Sequence, residues 1–265
     1  MTWLAVQLLG SALMVGAGVL TVRRSSKLAT WLVAVAGGMI VLKIAVSLVP
    51  AGEARLIAWN GYAFIEHWWV LYPSMLVLTI AIAMFRRSIW RRDGLLVVAG
   101  YLVLHFGVIA ILMARPHEGL TGKMDEKGIC HQTSGYSCSA ASAVMLLHEA
   151  GIESTEREMA ELCVTRAGNS RVAGTSDVGA MRGLRVKMAG LGRPVISTPT
   201  YAELRAPAMV AIKIHDQLSH SVVVVAVEPD QVKVIDPLYG RGTILRGQFE
   251  RDWKGIAIHL ERSGS

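Results

Sequence analysis

Four side chains in the second half of the chain have the types and the order that nucleophilic attack by a thiol requires. Cys138 stands at the start of a segment, 139–150, whose apolar residues recur with helical spacing. A thiol at that end of a helix feels the positive pole of the dipole, which favours the thiolate. A thiolate nucleophile needs a base, and the base needs a third group to orient it. His220 immediately precedes a run of valines, and Asp236 ends the next apolar segment. Glu228-Pro229-Asp230 between them reads as a hairpin turn, which brings His220 and Asp236 together at the end away from that turn. Gln132, six residues before Cys138, can aim its amide N–H at a developing oxyanion. His215 is the nearest rival for the base, but it lacks the pairing with Asp236. His117, His148 and His259 read as surface or structural residues.

The elements that must hold these groups are legible around them. Helices are expected over 139–150, closed by Gly151, and over 155–162, opened by the capping box Thr155-Glu156-Arg157-Glu158. A third is expected to start at Thr175 or Ser176 and run to about Ala189. Strands follow at 208–214, 221–227, 231–235, 240–245 and 256–260. The run of valines suits a strand buried on both faces. Helices first and an antiparallel sheet after is an α+β order. Residues 129–265 therefore read as one α+β domain, preceded by a glycine-containing linker at 116–128. Gly122-Lys123 is not a phosphate loop, because Met124 follows where Ser or Thr is needed. No nucleotide, metal or other cofactor is expected.

The first half is different. The chain has 265 residues, 52% hydrophobic and 18% charged, with mean hydropathy +0.43. That excludes a disordered chain and a disulfide-rich miniprotein. The net charge of +7 falls entirely in residues 1–115, where ten Lys/Arg face three Asp/Glu; residues 116–265 hold seventeen of each. No basic face remains on the polar half, so nucleic acid is excluded as a partner. Four apolar segments, at about 3–22, 29–49, 69–85 and 95–114, are long enough to cross a bilayer as helices. Residues 1–115 thus read as an α-helical bundle of four transmembrane helices. Membrane lipid is its surroundings. Arg23, Arg24 and Lys27 fill the first loop, and Arg86, Arg87, Arg91 and Arg92 the third. The positive-inside rule puts both in the cytoplasm. Four spans then place the N-terminus and the α+β domain outside, in the periplasm of a bacterium whose inner membrane carries the bundle. Trp68, Trp69 and Tyr72 fit an outer aromatic belt, and Trp90 an inner one. Lys43 snorkels from the outer end of its span. His105 has no counterpart at its own depth, and His67 lies at the outer edge, so the pair is not read as a haem site. Gly10, Gly16 and Gly18 read as points of close helix packing.

The polar half resembles the bacteriocin-processing, double-glycine cysteine peptidases. The segment Gln132-Thr-Ser-Gly-Tyr-Ser-Cys138-Ser-Ala-Ala is similar to their nucleophile motif. His220-Ser-Val-Val-Val-Val and Val234-Ile-Asp236-Pro-Leu-Tyr-Gly240 are similar to their His and Asp motifs. Gly174-Thr175-Ser176 and Phe249 to Gly255 fit as well, and the resemblance covers residues 129–260. It implies a papain-like fold and cleavage of leader peptides after two small residues. It makes Cys138 the nucleophile, His220 the general base, Asp236 its orienter and Gln132 the oxyanion donor. The chain departs from the pattern at Ser139, where the family has Gly, and at Ser137, often acidic there. Its best-known members are cytosol-facing domains of ABC exporters, whereas here apolar segments precede the domain. Exporter function and double-glycine specificity are therefore not carried over. The expected partners are a peptide or protein precursor substrate and an exporter or assembly protein. A peptidase-like module that binds leader peptides without cleaving them is the rival reading. Acyl transfer to an amine is a third. Cys130 and Cys163 admit two readings, a disulfide or free thiols, and a Cys130–Cys138 bridge would be a redox latch. Cys130, His131 and Cys163 match no common zinc spacing.

Overall fold

A computed structural model describes residues 13–20, 22, 25–47, 49–58, 68–84, 100, 117–167, 174–215 and 218–263. The chain forms two compact units. One holds Met1–Val49 and Phe64–Ile111; the other holds Pro50–Ala63 and Leu112–Ser265.

In the first unit, α1 (Ser26–Ser47) and α3 (Trp68–Met84, with Pro73 inside it) pack together. Gly18 lies against Thr79 of α3: a Cβ there would come 3.0 Å from Thr79 Cγ2. Gly16, by contrast, faces open space. Among the described residues no helix is long and apolar enough to cross a membrane. The fourth apolar segment, except residue 100, lies outside the described residues, as do Gly10, His67, Trp90 and His105.

The second unit is α+β. Helices α4 (Cys138–Glu149), α5 (Glu156–Leu162) and α6 (Asp177–Lys187) precede the sheet. Six antiparallel strands follow: β1 (Gly192–Ser197), β2 (Ala208–His215), β3 (Leu218–Val227), β4 (Gln231–Asp236), β5 (Gly240–Leu245) and β6 (Trp253–Arg262). Their order is β1-β6-β2-β3-β4-β5. A short helix, α7 (Arg246–Asp252), joins β5 to β6.

The helix starts follow from local chemistry. Thr155 caps α5 by accepting from the Glu158 N–H at 3.2 Å. The other arm of the expected box is redirected, since the Glu158 carboxylate accepts from Ser154 Oγ and pairs with Lys187. Ser176 caps α6 through the Gly179 N–H. After α4 the chain turns through Gly151 at φ +72, a conformation that suits glycine.

The sheet is covered on both faces, which explains the valine run. Val222 and Val224 join Val210, Val232, Val234, Ala257 and Phe249 in one buried cluster. On the other face Val223 is fully buried, and Ser221 meets α4. Phe249, from α7, stacks with Trp253 at 5.2 Å and meets Tyr201 edge-on at 6.1 Å.

Besides α7, two elements were not expected. β1 carries Gly192 and Pro194, which read as a turn; it lies at the sheet edge, where proline is tolerated. α2 (Pro50–Ala58), from between the second and third apolar segments, packs against β1, β6 and α6. Ala54 and Ile57 are buried there, and Arg185 of α6 donates to the carbonyls of Ile57 and Ala58 at 3.2 and 2.9 Å. Residues 117–128, expected as linker, fold onto the same unit: Leu120 is buried and Met124 bridges Cys130.

Candidate active site

The fold joins three of the four expected residues directly. Asp236 is the last residue of β4 and His220 lies near the start of β3. The register Val223↔Ile235 and Val224↔Val234 carries them to the same end of the hairpin. His220 Nε2 and Asp236 Oδ1 are 2.7 Å apart, with both side chains largely buried. That contact leaves Nδ1 for Cys138, the first residue of α4, which favours the charged form of His220.

A tight turn fixes the carboxylate. Asp236 pairs with Gly240 across β4 and β5, and the intervening Leu238 and Tyr239 N–H groups both donate to Asp236 Oδ1, at 2.7 and 3.3 Å. All three bonds to this side chain therefore end on one oxygen. The same turn holds the fourth residue, because the Gln132 backbone N–H donates to the Pro237 carbonyl at 2.9 Å. The Gln132 amide donates through Nε2 to Ser134 O at 2.9 Å, and its Oε1 is buried with no hydrogen-bond partner among the described residues. One amide hydrogen fixes the side chain, and the amide carries a second that can donate elsewhere.

Charges favour an ion pair. Burial alone pushes the Cys138 thiol up, but hydrogen bonds from His220, from the Ser221 N–H and from the Ser139 hydroxyl, with the His220 charge, bring it below its ordinary value. Burial alone pushes His220 down, but Asp236 and Cys138 raise it to about 9. Asp236 is held low, against burial, by His220 and the two turn N–H groups. A thiolate beside an imidazolium held by a carboxylate can attack a carbonyl and return a proton to the leaving amine.

The other two cysteines are free and buried, not bridged. Cys163 Sγ sits where a Cβ on Gly183 would be, 2.4 Å away, so it packs against bare helix backbone. Burial pushes both thiols up to about 12, far from nucleophilic.

One supporting residue left no signal in the sequence. Glu156, read as a helix-opening charge, is fully buried. Its carboxyl group accepts from Gly122 N at 2.9 Å, Thr133 N at 2.8 Å and Thr133 Oγ1 at 2.7 Å. It thereby anchors the residue next to Gln132. Gly122 is required there, because a Cβ would lie 2.5 Å from His131 O. Glu156→Ala leaves three donors without this acceptor and is expected to cost about 3 kcal/mol of stability. Chemical unfolding of the full-length protein in detergent checks this, and an unchanged midpoint would count against the anchoring role.

Several known proteins are similar to about half of this chain. An uncharacterized protein of Methanothermobacter marburgensis is 28% identical over 144 residues, which is 52% of this chain and 92% of the relative. One from Methanothermobacter thermautotrophicus is 27% identical over 143 residues, 54% of this chain and 94% of the relative. The peptidase domain of Streptococcus ComA, a bi-functional ABC transporter involved in a quorum sensing pathway, is 19% identical with a TM-score of 0.45; 52% of this chain covers 100% of it. A double glycine motif protease from an AMS/PCAT transporter, solved with its leader peptide, is 20% identical with a TM-score of 0.43; 54% of this chain covers 95% of it. The Peptidase C39 family matches residues 126–265, the whole stretch that carries Cys138, His220 and Asp236. The chain belongs to the Peptidase C39 family, a family of cysteine peptidases.

Proposed function

We propose that this chain is a membrane-anchored cysteine endopeptidase that hydrolyses precursor or leader peptides close to the bilayer. The observation that carries the reading is the 2.7 Å contact of His220 with Asp236, with Cys138 at the start of α4 and its thiol drawn below its ordinary value, against burial, in part by His220. Cys138 Sγ attacks the scissile carbonyl, and Gln132 stabilises the oxyanion. His220 passes its proton to the leaving amine, leaving a thioester. Water, deprotonated by His220, then releases the acid. Asp236 holds the imidazole throughout.

Two observations support the membrane part of the proposal. α1 leaves Trp31, Val35, Val41 and Leu42 exposed, a surface that lipid would cover. α2 lies between two apolar segments yet packs within the peptidase fold. On the proposed membrane reading this supports a second loop and C-terminal domain on one side of the bilayer, the side that the loop charges make extracytoplasmic.

The test uses the full-length protein in lipid vesicles, offered a mixed peptide library and read by product mass. Cleaved peptides with free carboxyl ends, absent with Cys138→Ala, are expected. Intact peptides that nonetheless remain bound would favour the binding-module reading. Products joined to an amine would mean acyl transfer. A protease added to spheroplasts should remove the C-terminal domain; protection would place it in the cytosol.

A further inference from the structure

Gln132 is fixed at its backbone from two sides. Its own N–H donates to the Pro237 carbonyl at 2.9 Å, and Glu156 holds the next residue through the Thr133 N–H and hydroxyl. Neither contact reaches the side-chain amide. The amide is set by the Ser134 carbonyl, to which Nε2 donates at 2.9 Å. A carbonyl only accepts, so it dictates that the nitrogen end of the amide, and not the oxygen, faces it. That carbonyl is in turn held by Ser137. The Ser137 hydroxyl donates to the Ser134 carbonyl at 2.8 Å and accepts from the Ser134 N–H at 3.2 Å, so one side chain holds both polar backbone groups of the same residue. The Ser137 N–H closes the turn onto the same carbonyl at 3.2 Å. Ser137 is fully buried. It stands at the N-cap of α4, where a serine ordinarily accepts from the first turn of the helix, yet its side chain makes no cap bond. The hydroxyl serves the turn instead. The Ser137 carbonyl meanwhile accepts from the Ala141 N–H at 3.0 Å and so starts the helix. Ser137 therefore belongs at once to the helix that carries Cys138 and to the turn that carries the Gln132 amide.

We propose that Ser137 is a positioning residue for the oxyanion donor: by holding the Ser134 carbonyl it orients the Gln132 amide and ties that amide to the helix start that carries Cys138. The inference rests on the proposed peptidase mechanism, in which Gln132 stabilises the oxyanion. Ser137 itself touches no reacting atom. With one amide hydrogen committed to Ser134, the other has a set direction. A donor stabilises charge that appears only in the tetrahedral intermediate most effectively when it is already aimed. Without the Ser137 hydroxyl, the Ser134 peptide groups lose their clamp and the amide is free to turn with them.

The test compares two reactions of the same thiol on the full-length protein in detergent. Acylation by 4-nitrophenyl acetate passes through a tetrahedral oxyanion: the Cys138 sulfur bonds to the acetyl carbon, 4-nitrophenolate leaves and a thioester remains. Alkylation by iodoacetamide displaces iodide at a saturated carbon and forms no oxyanion. Both are followed at Cys138 by mass, with Cys138→Ala as the blank. Gln132→Ala is expected to lower the ratio of acylation to alkylation roughly a hundredfold, and Ser137→Ala about tenfold, with alkylation unchanged. Ser137→Gly, which removes the hydroxyl and leaves space, should match Ser137→Ala. Ser137→Ala combined with Gln132→Ala should fall no further than Gln132→Ala alone, because Ser137 acts only through that amide. A wild-type ratio in both Ser137 variants, with Gln132→Ala lowered, overturns the positioning role and leaves the mechanism intact. A parallel fall of both reactions, or a further fall in the double variant, does the same. A wild-type ratio in Gln132→Ala overturns the inference together with the oxyanion role of Gln132. A wild-type Cys138 no more reactive than an ordinary thiol overturns the inference and the peptidase reading alike.

Discussion

Cys138→Ala is expected to abolish the proposed peptide hydrolysis, a loss on the order of 10⁴-fold or more in kcat, and His220→Ala is expected to cost about as much. The two side chains act as a unit, so the double variant loses no more than either alone. The reason lies in the shared proton. In the proposed mechanism Cys138 is nucleophilic because an imidazole takes its proton, and that imidazole is basic because Asp236 and Cys138 raise it. Without His220, burial dominates and the thiol rises back toward, and past, its ordinary value. Alkylation reads the same effect without any substrate. At neutral pH iodoacetamide should modify Cys138 and leave the buried Cys130 and Cys163 untouched; in His220→Ala even Cys138 should react slowly. Hydrolysis surviving in Cys138→Ala would end the proposed mechanism.

Asp236 separates orientation from charge. Its Oδ1 takes the bonds from His220, Leu238 and Tyr239. An asparagine placed with its carbonyl oxygen there accepts all three, so Asp236→Asn keeps the geometry and loses only the negative charge. Its kcat is expected to fall about tenfold, whereas Asp236→Ala, which also releases the turn holding Gln132, falls roughly a hundredfold to a thousandfold. The pH profiles should differ as well. His220 is raised to about 9 in the folded protein, from an ordinary 6.5. Activity that needs the imidazolium is therefore lost as pH rises through about 9. In Asp236→Asn that basic limb moves to lower pH. Stability follows the same sign. A raised histidine contributes stability that is full below about pH 6.5 and disappears as pH rises through about 9. The deficit of Asp236→Asn should thus be largest in mild acid and shrink above pH 9. An unmoved basic limb would show that the Asp236 charge does not act on His220.

These effects were partly readable from residue order. Periodicity located α4, α5 and α6 to within a few residues, because amphipathic helices with serine or threonine caps carry local signals. The valine run and the turn at Pro229 implied that His220 and Asp236 would meet, because an antiparallel hairpin maps sequence separation onto distance. β1 was missed because Gly192 and Pro194 are turn residues by local chemistry, and only the place at the sheet edge makes them acceptable in a strand.

Composition and spacing were enough to separate an apolar half from an α+β half and to order thiol, imidazole and carboxylate along the chain. Those properties are local or nearly so. The supporting contacts are not. Glu156 reaches back to Gly122 and Thr133, Ser139 reaches forward to Ser221, and Gln132 is tied to Pro237. A charge at a helix start and a serine beside a cysteine look the same in sequence whether solvated or buried. Burial converts them into partners that must be satisfied, because an unpaired polar group away from water is costly. The placement of α2 on the peptidase fold is of the same kind: its two buried apolar residues and the Arg185 contacts have meaning only once β1, β6 and α6 have come together.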